Sequence, residues 1–236
     1  MPQDEFQALF EAVGLSHGEW DLVPSSGMGS SFSAFELQPS DYVRQAEADL
    51  LHETDGANLN AVSNAKRAIS CQIDEILTYF GYGALRWDNG RKVRTIASMG
   101  ITAPRILGKL NATRNLLEHS YRRVTRNEAE DAVDVATLFV AAASPVLRMF
   151  PGEFFISSAT DQEHYERGLA VDFEYDQPRS FTIQAFGEHP TISDAPATTL
   201  THQDPSFPAL IAAALAADRD LPAAAAIDAL RQSVSG

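Results

Sequence analysis

The stretch ANLNAVSNAKRAISCQIDEILTYF, residues 57–80, decides how the chain reads. Leu59, Val62, Ala65, Ile69, Ile73, Ile76, Leu77 and Phe80 recur in it at three- and four-residue steps. That period puts them on one stripe of a long helix, and the stripe must be buried against other helices. The sequence Gly81-Tyr82-Gly83 follows and ends the helix, because glycine takes the left-handed C-terminal conformation without steric cost. Cys71 lies in this apolar pattern and reads as a small buried residue. It is the single cysteine, so no intrachain disulfide forms, and a reducing, cytoplasmic setting fits best.

Working outward, further helices appear on both sides. PSDYVRQAEADLL (39–51) opens with a helix-start signal. A shorter helix is expected near 91–98, broken by Gly100, and another over about 103–119 with Pro104 in its first turn. TRNEAEDAVDVATLFVAAASPVLRMF (125–150) reads as the last long helix, capped by Thr125 or Asn127 and kinked or ended by Pro145. Before residue 38, a short amphipathic helix (Phe6, Leu9, Phe10, Val13) precedes the flexible Gly/Ser-rich segment SSGMGSSFS, residues 25–33. After residue 150 the period changes. Val171, Phe173 and Tyr175 alternate, as do Phe181, Ile183 and Ala185, with DQPR (176–179) as a turn between. The expected fold class is mainly α: a helical bundle with a small C-terminal antiparallel β-meander and an Ala-rich helical tail. The expected parts are residues 1–37 (helix and flexible segment), 38–150 (helical bundle), 151–187 (meander) and 188–236 (Pro/Ala-rich tail with short helices). The N-terminus lacks the basic region of a signal peptide, and the longest apolar run, residues 135–146, is too short to span a bilayer. No membrane association is expected.

The charge is uneven. The whole chain carries −14, yet residues 82–127 hold ten Lys/Arg against Asp88 and Glu118, a local +8 that leaves −22 for the remainder. Such a run is either a set of solvated helix faces answered by acids elsewhere or a local surface for a polyanion. Within it lies TRNLLEHSYRRVTR, residues 113–126. On a helix Asn115 and His119 share a face, so the amide can orient the imidazole. Arg114 and His119 stand about 140° apart, and a long arginine or a second copy of the helix would be needed to bring them together. A histidine with a reference pKa of about 6.5 can move protons at a ribose hydroxyl, and an arginine can hold a phosphate and stabilise its transition-state charge. These residue types suit RNA cleavage without a metal.

RNLLEHSY resembles the Arg–polar–x-x-x–His signature of the HEPN superfamily (higher eukaryote and prokaryote nucleotide-binding domains). It also resembles the extended form with a tyrosine two residues after the histidine, found in HEPN toxins paired with nucleotidyltransferase antitoxins. The resemblance covers about 38–150 and implies an up-and-down helical bundle, a homodimer and metal-independent endoribonuclease activity. It implies catalytic roles for Arg114, Asn115 and His119 and makes Tyr121 the candidate for modification by an antitoxin. Lys109, Arg122, Arg123 and Arg126 are the expected RNA contacts. No cofactor or metal is expected: there is no Walker loop, no GxGxxG and no metal-ligand spacing. The expected partners are RNA, a second copy of the chain, and an antitoxin or defence-complex protein. A competing reading is a non-catalytic HEPN module that binds RNA or a nucleotide, or dimerises as an adaptor. A third is a purely structural subunit.

Overall fold

The computed structural model describes residues 1–27, 32–101, 123–158, 167–187, 195–219 and 221–235. The chain divides into two compact units.

The first unit comprises Met1–Ser30, Ser98–Gly100 and Met149–Gly236. Its centre is a five-stranded antiparallel sheet in the order β1-β2-β3-β4-β5, built from Trp20–Gly27, Pro151–Ser158, Arg167–Glu174, Ser180–Gly187 and Thr198–Thr201. Alternation along the strands sorts one face for burial: Phe154 and Ile156, Leu169, Val171 and Phe173, Phe181, Ile183 and Ala185, and Leu200 are all buried. Helices α1 (Pro2–Ala12), α6 (Phe207–Asp218) and α7 (Ala223–Ser235) pack against this sheet. Phe6, Leu9 and Phe10 supply the stripe of α1. Almost every side chain of α6 is buried, since a helix apolar all round has no solvent face to present. Phe207 of α6 meets Phe181 with ring centroids 5.3 Å apart. The helices are tied to one another: Gln3 Nε2 donates to Ser206 Oγ at 2.7 Å, and Ser233 Oγ lies 2.9 Å from the same oxygen.

These observations correct the expected fold class. The fold is α+β, not a mainly α bundle with a small C-terminal meander and an Ala-rich helical tail. The sheet recruits β1 from within residues 1–37 and β5 from within 188–236, and the Ala-rich helices form part of its core. The reason is physical. Trp20–Gly27 carries Pro24, two serines and a glycine, so it lacks period-2 alternation. Its partner β2 lies far along the chain, and the pairing is irregular between Pro24 and Gly27. Proline is tolerated because β1 is an edge strand. Ser25–Gly27, expected in a flexible segment, end that strand.

The second unit comprises Ser31–Ala97 and Ile101–Arg148. Helices α2 (Pro39–Asp49), α3 (Asp55–Tyr79) and α5 (Arg126–Arg148) pack on one another, joined by a 3₁₀ turn over Ala84–Arg86 and α4 (Asn89–Ser98). Val62, Ala65, Ile69, Ile73, Ile76 and Leu77 of α3 are buried. Leu59, expected with them, is 46% exposed. Thr54 caps α3 by accepting from the Ala57 amide at 3.1 Å. At its other end, Gly81 sits at φ +88 while the Tyr82 amide bonds back to the Leu77 carbonyl at 2.9 Å. Thr125 caps α5 in a reciprocal box: its amide donates to Glu128 Oε2 at 3.0 Å and its hydroxyl accepts from the Glu128 amide at 3.3 Å. Pro145 does not end α5, which runs on to Arg148. The amide it lacks would have served the carbonyl of Ala141, which is an exposed residue.

Candidate functional site

Lys109, Arg114, Asn115, His119, Tyr121 and Arg122 lie within 102–122, outside the described residues. The chain on either side is fixed in the second unit. Ile101 and Val124 are buried, and the Val124 carbonyl accepts from Asn58 Nδ2 at 3.5 Å. Of the expected RNA contacts, Arg123 and Arg126 are described. Arg123 Nη1 lies 3.0 Å from Asp55 Oδ2 in the first turn of α3, and the two side chains are 87% and 63% exposed. Arg126 Nε donates to Glu130 Oε1 at 2.6 Å and its Nη1 to the His52 carbonyl at 3.5 Å. Exposed pairs of this kind are worth only about 0–1 kcal/mol, so a phosphate can displace the carboxylate.

Other members of the basic segment have structural work. Lys92 Nζ meets Asp74 Oδ1 at 2.6 Å with both side chains largely buried, locking α4 to α3. The Arg91 guanidinium stacks 3.7 Å from the centre of the Trp87 ring. Asp88 caps α4 by accepting from the Arg91 amide at 2.9 Å. That bond, aided by the nearby Arg94 charge, holds its carboxyl below the usual value. The described part of the basic segment is thus mostly answered by acids and a ring close at hand.

The second unit also carries an open groove of about 1030 Å³ along α3. One wall is residues 34–37 with Tyr42 of α2, and Leu85 stands at the far end. Ser63, Lys66, Arg67, Ser70 and Cys71 line it at three- and four-residue steps, so one polar face of α3 forms the floor. Leu37, Leu59 and Leu85 are large apolar side chains left exposed around it. Cys71 faces this groove half-buried, with Sγ 3.5 Å from the Leu37 carbonyl. It is not the fully buried residue its sequence context suggests. Burial first, then the charges of Glu75, Asp74 and Asp41, push its thiol up to about 11, which keeps it protonated and a poor nucleophile. No group of His, Cys, Asp and Glu among the described residues is arranged to hold a metal ion.

No family model, curated protein or solved structure matches this chain. Among the described residues, no helix is long and apolar enough to cross a membrane.

The groove escaped the sequence reading for identifiable reasons. Lys66 and Arg67 fall outside the basic run of 82–127. Leu59 keeps the period of the buried stripe, although α2 leaves it uncovered. The recurrence Ser63, Lys66, Arg67, Ser70 marked a polar face. Only the packing of residues 34–37 and Leu85 beside it makes that face concave.

Proposed function

We propose that this chain is a HEPN-type metal-independent endoribonuclease, acting in the cytoplasm as a toxin or antiphage-defence effector. The observation that carries the reading is RNLLEHSY, residues 114–121, set in the one strongly basic segment of an acidic chain. In this reading His119 takes the proton from the ribose 2′-hydroxyl or delivers one to the leaving oxygen. Arg114 holds the scissile phosphate through two N–H groups and stabilises the charge that grows on it. Asn115, one turn before His119, fixes the imidazole's orientation. Lys109, Arg122, Arg123 and Arg126 bind the flanking phosphates, and the weak exposed pairs of Arg123 and Arg126 are consistent with that exchange. On the helix expected over about 103–119 Arg114 and His119 would stand about 140° apart, so in this reading the working site is shared by two copies of the chain. Tyr121 is the point at which a nucleotidyltransferase antitoxin silences the enzyme, by placing negative charge beside the phosphate-binding arginines.

The test is RNA cleavage by the full chain and by Arg114→Ala and His119→Ala. Each substitution is expected to cost at least about 10²-fold. Equal cleavage by all three proteins removes the reading. The second reading, a non-catalytic binding module, is favoured by the groove on α3, which has no part in the cleavage chemistry. RNA binding without any cleavage would select it.

A further inference from the structure

Helix α5 leaves one long face uncovered. Its buried stripe runs through Val133, Phe139, Val140 and Leu147. On the opposite side Asp131, Asp134, Leu138, Ala141, Ala142 and Arg148 are exposed, with Pro145 half-buried among them. At about 100° per residue these seven share an arc of about 120°. The chemistry is ordered along the face: two acids, then an apolar middle, then a base. Leu138, in that middle, is 68% exposed. Asp131, Asp134 and Arg148 make no ion pair among the described residues, whereas the neighbouring Glu130 is held by Arg126 at 2.6 Å.

We propose that two copies of this chain pair antiparallel through this face of α5, with Leu138 packed on Ala141 of the second copy and Asp131 against its Arg148. An order of acid, apolar middle and base is complementary to itself when reversed. A twofold axis level with the gap between residues 139 and 140 sets Leu138 opposite Ala141, Asp134 opposite Pro145 and Asp131 opposite Arg148, each contact made twice. Arg148 then lies within a turn of Asp134 of the second copy as well. Parallel copies would instead set like charge beside like charge. The alanines opposite Leu138 let the two helices approach closely, and burial of Leu138 supplies the apolar gain. Nucleic acid is a poor occupant, because Asp131 and Asp134 repel phosphates. From Asp131 to Arg148 the contact is about 26 Å long at 1.5 Å per residue, a single helix pair, so the dimer is concentration-dependent. The proposal does not rest on the ribonuclease reading, whose shared site is expected around Arg114 and His119.

The test is self-association of the full chain, measured by analytical ultracentrifugation over a range of concentrations. Leu138→Lys should weaken it at least about tenfold, and so should Asp131→Lys and Arg148→Glu separately. All three positions are exposed, and circular dichroism checks that each variant stays folded. The double variant Asp131→Lys/Arg148→Glu should recover self-association. Within one chain the two positions stand about 26 Å apart, so recovery reports a contact between copies and fixes its antiparallel register. The proposal is overturned if the wild type stays monomeric at every concentration, or if the double variant associates no better than the single ones. It is also overturned if Leu138→Lys and both charge reversals associate as tightly as wild type. That last result places self-association on another surface and leaves the two-copy ribonuclease site standing.

Discussion

Glu75 is only 3% exposed on α3, with one carboxyl oxygen lacking a hydrogen-bond partner. Burial raises its pKa above the usual 4.5, opposed in part by the Ala34 amide that donates to it. The folded state therefore holds this proton more tightly than the unfolded chain does. The resulting stabilisation is complete below about pH 4.5 and is lost as pH rises through the higher folded value. Glu75→Gln keeps an acceptor for Ala34 and removes the buried charge. Urea unfolding should find the variant more stable than wild type at neutral pH, with the gain shrinking toward pH 4.5. A variant that is equally or less stable at neutral pH contradicts this account of the site. Nothing in the sequence marks Glu75 as special. It is one acid among thirty-two, and its burial follows from the chain around Ala34 folding back over α3.

At the scale of elements, the tightest constraint is Gly168 in β3, opposite Ser157 of β2. A Cβ at this position would lie 2.0 Å from the Ile156 carbonyl oxygen and 2.8 Å from Cζ of Phe186. The first clash is with backbone, so it is relieved only by parting β2 from β3. Gly168→Ala is expected to cost at least about 1–3 kcal/mol, read as a lowered thermal midpoint. A midpoint within experimental error of wild type would show that the two strands yield there. Elements that declare themselves locally were legible in the sequence. The stripe of α3, a cap of α5 at Thr125 or Asn127, and the alternation of Val171, Phe173 and Tyr175 or of Phe181, Ile183 and Ala185 needed no knowledge of their partners, although the cap is Thr125 and Tyr175 falls just beyond β3, which ends at Glu174. β1 and β5 were illegible because what makes them strands is distant. Pro24 and Ser26 extend only because β2 lies opposite, pairing them with Phe154 and Glu153, and four residues of Thr198–Thr201 are too few to show a period. The alanines of α6 read as an Ala-rich helical tail. Their small side chains instead let the helix lie close on the sheet. The proposed catalytic motif was legible as residue types and spacing, Arg114, Asn115 and His119 on a basic segment. The groove was not, because concavity is a property of packing.

For the whole molecule, the proposed composite site requires two chains. Light scattering on a chromatographic peak should give about twice the 25.7 kDa chain mass, and a monomer at working concentration contradicts it. Mixing goes further. A heterodimer of Arg114→Ala and His119→Ala chains contains one site with both residues intact if each site takes its arginine and its histidine from different chains. Activity should then return in part, whereas inactive heterodimers show that both residues act from one chain or that every copy is needed. The central claim is that His119 and Arg114 cleave RNA through the ribose 2′-hydroxyl. Mass spectrometry of the ends left on a defined RNA, incubated in excess EDTA with wild type or with His119→Ala, tests that claim most directly. The account predicts 2′,3′-cyclic phosphate or 3′-phosphate ends from wild type alone. The same ends at the same rate from His119→Ala, or 5′-phosphate ends from wild type, would contradict it.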